Sequence, residues 1–172
     1  MKKIVTTLLL STLATFALNI GEIPKEVTIS GDNGGKVDGS AWSSSMLKDK
    51  VFVLFYVDPD KKEDSEKFVD ALHAKNYDTE KYGSVAIINL KATWLPNFAI
   101  GKMLKKKQDS FPNTTYVKDK TKFLVDNWSL ADDSSNVIVL DTTGKVLYLH
   151  EGMIDESEMQ TIFKLLEKEI NK

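Results

Sequence analysis

The stretch KVFVLFYVDPDKKEDSEKFVDAL, residues 50–72, decides how this chain is read. From Lys50 to Val57 it is an almost unbroken apolar run. A strand that is apolar on both faces suits the centre of a sheet covered by helices on each side. Asp58-Pro59 ends it, because proline cannot continue a central strand. Asp as N-cap followed by Pro at the first helical position opens a helix. Phe68, Ala71, Leu72 and Lys75 then recur at helical spacing.

Working outward, Tyr82 to Leu90 reads as a second buried strand, and Pro96 marks a helix start with Ile100, Met103 and Leu104 as the apolar face. Thr114 to Val117 is a short strand, Lys120 to Trp128 a helix, and Asn136 to Leu140 a third apolar strand. Asp141-Thr142-Thr143-Gly144 turns the chain into Lys145 to His150. The last helix is signalled by a capping box, Asp155 with Glu158, followed by Met159, Ile162, Phe163, Leu166 and Ile170 on one face. On the N-terminal side, Val27-Thr28-Ile29, the turn Asp32-Asn33-Gly34-Gly35 and Lys36-Val37 predict a β-hairpin. Ser40 to Leu47 reads as a helical turn with Trp42 and Met46 on one face. Strands alternating with helices give an α/β layer fold.

The chain has 172 residues, 42% of them apolar, which suits one domain able to bury roughly 68–70% of its unfolded surface. Residues 1–17 stand apart. Lys2 and Lys3 precede the apolar run Ile4 to Phe16, and Thr15 and Ala17 fit the −3 and −1 positions of a cleavage site. The run falls short of the about 20 residues that span a bilayer, so a cleaved secretory signal is expected rather than a short membrane anchor. With no cysteine after the run, a lipoprotein anchor is not expected. The mature chain, 18–172, would be a single periplasmic domain without a stable membrane anchor.

There is no cysteine anywhere, which removes disulfides, thiolate metal sites and thiol redox chemistry. There is no arginine either, and acids exceed lysines by two, or by four once Lys2 and Lys3 are gone. Nucleic acid is therefore not an expected partner. Lys105-Lys106-Lys107 fits the C-terminal end of a helix, where cations complement the dipole. No glycine-rich phosphate motif occurs, and no cofactor or metal is expected.

The order of elements, a β–α–β unit followed by strand, tight hairpin and amphipathic helix, resembles the thioredoxin arrangement. More closely, the chain resembles the YtfJ family of small periplasmic proteins. Trp42, Ser44, Leu47 and Lys50-Val51 carry that resemblance, with Trp128-Ser129-Leu130, Ser134-Ser135, Val137-Ile138-Val139-Leu140-Asp141, Gly144-Lys145-Val146 and Gly152. It implies a thioredoxin-like three-layer sandwich with an N-terminal β-hairpin extension, and brings no established activity. By the same resemblance, the positions of a thioredoxin dithiol hold Asp60-Lys61-Lys62-Glu63, that of its buried acid Leu54, and that of its cis-proline Ser135. A carboxylate forms no mixed disulfide, so disulfide exchange is ruled out. The Ser134–Ser135 peptide is expected to be trans.

Asp58, Asp60, Glu63, Asp64 and Glu66 gather at one helix start, either as oxygen ligands or acid/base carboxylates, or as caps that complement the helix dipole. Lys61 and Lys62 among them favour the second. His73 and His150 are expected in surface or satisfied packing roles, and no G-x-S-x-G elbow surrounds Ser134 or Ser135. Trp128 belongs to the core, whereas Trp94, followed by Leu95-Pro96, is the better recognition residue. The expected function is that of a redox-inactive binding or adaptor protein for a periplasmic protein or small ligand. Its surface would be Asp58, Asp60, Lys61, Glu63, Trp94, Asp132 and Ser135, at the strand ends where α/β sheets bind ligands. The alternative is a cysteine-free hydrolase or cation-dependent enzyme using Asp60 and Glu63.

Overall fold

The computed structural model describes residues 17–172. The expected signal segment, apart from Ala17, lies outside them. In chain order the elements are β1 (Thr28–Ile29), β2 (Gly34–Lys36), β3 (Trp42–Ser43), β4 (Val51–Val57), α1 (Glu63–Lys75), β5 (Tyr82–Asn89), α2 (Asn97–Ser110), β6 (Thr114–Asp119), α3 (Phe123–Trp128), β7 (Ser135–Leu140), β8 (Val146–Glu151) and α4 (Glu156–Ile170).

β4 is central, as its apolar run requires. The main sheet has the order β2-β6-β5-β4-β7-β8, with β5 parallel and β7 antiparallel to β4. Val51, Val53, Phe55 and Val57 point to one face, where Phe68 and Leu72 of α1 and Met159, Ile162, Phe163 and Leu166 of α4 cover them. Leu54 and Tyr56 point to the other, against Leu124 and Trp128 of α3 and against Ile29 and Trp42 of the N-terminal segment. α2 lies on the first face, over Ala86, Ile88 and Tyr116. The result is the expected three-layer α/β sandwich.

The N-terminal extension is present, but its strands do not form a hairpin. β1 pairs with β3, Ile29 opposite Trp42, in a sheet of its own, while β2 adds antiparallel to β6 at the edge of the main sheet. Gly34 and Gly35 explain this. Both have φ in the left-handed half (125° and 137°). A Cβ on Gly34 would lie 1.8 Å from the Lys118 carbonyl oxygen, and one on Gly35 2.6 Å from that of Ser40. The glycines thus serve close backbone approach rather than a two-residue turn.

The Ser40–Leu47 region also differs. Trp42 is fully buried on β3, whereas Met46 in the following 3-10 turn is exposed, so the pair shares no face. α3 starts at Phe123 rather than Lys120 because Lys122 takes a left-handed conformation and the Asp119 carboxylate accepts from the backbone N–H groups of Thr121, Phe123 and Leu124. The capping box of α4 forms as the sequence predicts.

Candidate functional site

The loops at the C-terminal edge of the parallel strands converge where Asp58 follows β4, where Asn89 and Asp119 end β5 and β6, and where Ser135 begins β7. Asp58 caps a 3-10 turn over Pro59–Lys61 before α1, its Oδ1 accepting from the Asp60 N–H at 2.8 Å, while its own N–H donates to Ser134 O at 3.0 Å. Only 3% exposed, it is not part of a surface, which corrects the expectation. Burial pushes its carboxyl up, with the Asp60 and Asp133 charges adding to the effect.

Ser135 needs the same correction. It is fully buried, and its Oγ donates to Ser65 Oγ at 3.0 Å, tying the first strand residue of β7 to the first turn of α1. The expectation missed its inward partner because Ser65 is 70 residues away in sequence. The Ser134–Ser135 peptide is trans, since the described residues contain no cis bond.

Asp60, Lys61 and Glu63 do face solvent. Asp60 Oδ1 accepts from Thr93 Oγ1 at 3.0 Å, which holds the loop bearing Trp94 against the start of α1. Trp94 itself is 84% exposed. Asp132 is half-buried and held from two sides: Asn89 Nδ2 donates to its Oδ1 at 3.0 Å, and the Lys122 ammonium pairs with its Oδ2. Burial pushes the Asp132 carboxyl up, but the Lys122 ammonium and the donors from Asp133 and Asn89 outweigh it and hold the group below the usual carboxylate range.

Several residues of this edge went unread in the sequence. Asp119 is fully buried and also accepts from Tyr56 Oη at 3.2 Å. Burial, then the Asp119 charge, drives the Tyr56 phenol far up. An Asp shortly before a helix is a capping signal and would have pointed to Asp119. Asn136 satisfies the Ala131 backbone, accepting from its N–H at 3.0 Å and donating to its O at 2.9 Å; nothing local in the sequence announces that role.

These contacts make a structural plug with no nucleophile–base pair. His73 follows Glu63 by ten residues on α1, about 15 Å along the helix. His150 is held by Glu158 (2.8 Å) and Met153 O (3.0 Å). Among the described residues no group of three or more His, Asp or Glu gathers as metal ligands would.

Beside the plug the molecule is open. Between α1 and α2 a groove of about 470 Å³ runs over β4, β5 and β6. Phe55, Ala86, Ile88, Ile100, Leu104 and Tyr116 form its apolar floor and wall. Pro59, Asp60, Lys62 and Leu95 stand at the end next to Trp94; Ser84, Thr114, His73 and Lys107 stand at the other. Met103, expected on one apolar face with Ile100 and Leu104, lines the groove with them and is 53% exposed. His73 stacks on Phe111 with ring centroids 4.1 Å apart, and burial holds its pKa below the usual 6.5. Of the expected surface residues, only Asp60 reaches the groove.

Solved structures similar to this chain share the fold. A thiol-disulfide isomerase from Corynebacterium glutamicum superposes with a TM-score of 0.61, covering 88% of this chain and 97% of its own at 14% identity. The exposed lipoprotein thioredoxin Etrx1 from Streptococcus pneumoniae gives 0.59, over 84% and 99%, at 16% identity. The chain is thioredoxin-like in fold and, without cysteine, carries no dithiol. It is also similar to an uncharacterized protein of Haemophilus influenzae (29% identity, 73% of this chain and 70% of that one) and to the uncharacterized protein YtfJ of Escherichia coli (25%, 74% and 71%). Residues 21–169 match the family described as bacterial protein of unknown function, YtfJ_HI0045, and the chain belongs to that family.

Proposed function

We propose that the protein is an exported, redox-inert binding protein of the periplasm that holds a small apolar ligand in the groove between α1 and α2. The groove carries this reading: 470 Å³ lies within the usual range of ligand sites, and its apolar floor ends in a few polar groups that can orient a headgroup. The pattern of residues 1–17 supports export, and the absence of cysteine supports binding rather than thiol turnover. The enzymatic alternative has less support. Asp60 is engaged by Thr93, and neither histidine is placed to work with Asp60 and Glu63.

The test is a titration with a dansyl-labelled medium-chain carboxylate, read by fluorescence. Saturable binding with a blue shift is expected for the wild type. Ala86→Phe, which places a ring in the groove, should weaken it by at least about tenfold, the effect of losing a buried apolar contact of that size. No saturable binding, or an unaffected variant, sinks the reading.

A further inference from the structure

Beyond ligand holding, we propose that the outer face of α2, with Trp94 before it, docks the protein peripherally on an anionic phospholipid surface. Eight large apolar side chains are exposed among the described residues, and four of them, Trp94, Phe98, Met103 and Phe111, fall in one stretch of the chain; Met103 lines the groove and Phe111 stacks on His73, which leaves Trp94 and Phe98 for the outer side. The contrast among the tryptophans is sharp: Trp42 and Trp128 are buried to within 1%, while Trp94 is 84% and Phe98 79% exposed. Leaving an indole and a phenyl ring in water at the start of a helix forfeits the burial that Trp42 and Trp128 receive.

The charge on the same helix points to the occupant. Lys102, Lys105 and Lys106 are exposed on its outer side, and none makes an ion pair among the described residues, whereas Lys107 turns to the groove. They stand in a chain whose net charge is −2, so this helix is a basic patch on an acidic protein. Phe98, Lys102 and Lys105 recur at i, i+4 and i+7, opposite the buried Ile100 and Leu104. Phe98 therefore occupies the start of the outer stripe, Lys102, Lys105 and Lys106 its later turns, and the single acid Asp109 its end. That is the composition of a helix lying in a bilayer interface, with rings at headgroup depth and long lysine stems reaching anionic headgroups.

Two other partners fit less well. The like charges of Lys102, Lys105 and Lys106 disfavour self-association through this face, and nucleic acid recognition would call for the arginines the chain lacks. The helix needs no rearrangement to dock. Ile100 and Leu104 anchor it, and Gln108 bonds to β6 through Thr114 O (2.8 Å) and Tyr116 N (3.2 Å). Docking by this face would set the Leu95 end of the groove, adjacent in sequence to Trp94, beside the lipid surface.

The experiment is sedimentation of the exported chain with vesicles of phosphatidylcholine alone and of phosphatidylcholine mixed with phosphatidylglycerol. Fluorescence is followed in parallel, because Trp94 is the one solvent-exposed tryptophan among the described residues. Binding to the anionic vesicles is expected, with a blue shift of Trp94 and loss as salt is raised. Lys105→Glu/Lys106→Glu should lower partitioning by at least about tenfold, since each lysine near such a surface adds to the attraction. Trp94→Ser/Phe98→Ser should weaken it with circular dichroism unchanged. Absence of binding to anionic vesicles, equal binding to neutral ones, or indifference to the charge-reversal pair would each overturn the proposal.

Discussion

At the strand ends, Asp119 gathers three backbone N–H groups and a phenol, Asn136 closes the Ala131 backbone, and Ser65 and Ser135 bond to each other. In the groove alongside, apolar side chains of β4, β5 and α2 border about 470 Å³ of unfilled space. The two regions touch at Pro59, Asp60 and Ser65. By the thioredoxin resemblance, the first is the corner where a dithiol would work. Here the corner holds loops together, and the opening lies to its side. This fold presents a usable concavity without any dithiol at the corner, because the groove follows from the spacing of α1 and α2 over the sheet.

The largest expected effect tests whether the corner is structural. Asp119→Ala removes the acceptor of four hydrogen bonds from a fully buried position and should lower the unfolding free energy by about 3–4 kcal/mol in urea titration. A loss below about 1 kcal/mol would mean the corner is dispensable to the fold. Ser135→Ala strands the buried Ser65 hydroxyl and should cost about 1–2 kcal/mol, while Ser65→Ala/Ser135→Ala should cost no more than the single change. Strict additivity would show that the two hydroxyls act independently. The groove variant Ala86→Phe should by contrast leave stability within about 1 kcal/mol of wild type, since the ring enters space already present.

The smallest effect concerns pH. Burial lowers the pKa of His73 below 6.5, with Asp70 opposing and Lys107 reinforcing the shift. The unfolded chain then binds the proton more readily than the folded one. The contribution of His73 is therefore complete above pH 6.5 and is lost as pH falls through that value toward the lower folded pKa. His73→Phe should flatten this part of the stability–pH curve; an unchanged curve would detach the Phe111 end of the groove from any protonation event.

Much of the framework was legible because its signals are local. The run before Asp58 specified a central strand, and Asp155 with Glu158 specified the start of α4. What escaped depends on distant partners. The glycines before Lys36 look like a turn until Lys118 is brought beside them. Asp58 and Ser135 look like loop surface until Ser134 and Ser65 show that they face inward. The groove was invisible for another reason. It arises where α1 and α2 stand apart over the small side chains Ser84 and Ala86, and no sequence pattern encodes the distance between two helices.

The glycine strand β2 has a further consequence for how the molecule stays apart from its neighbours. β6 would otherwise end the sheet with a row of open backbone donors and acceptors, a template on which another chain could add a strand. Gly34, Gly35 and Lys36 occupy that row, paired with Asp119, Lys118 and Val117. The seal fits only because no side chain stands between the two backbones. Any side chain at Gly34 would pry it open, expose a sticky edge and press on the buried Ile29 beneath. Losses at this position would then appear as aggregated protein during folding, making the glycine pair a guard of solubility as much as an element of shape.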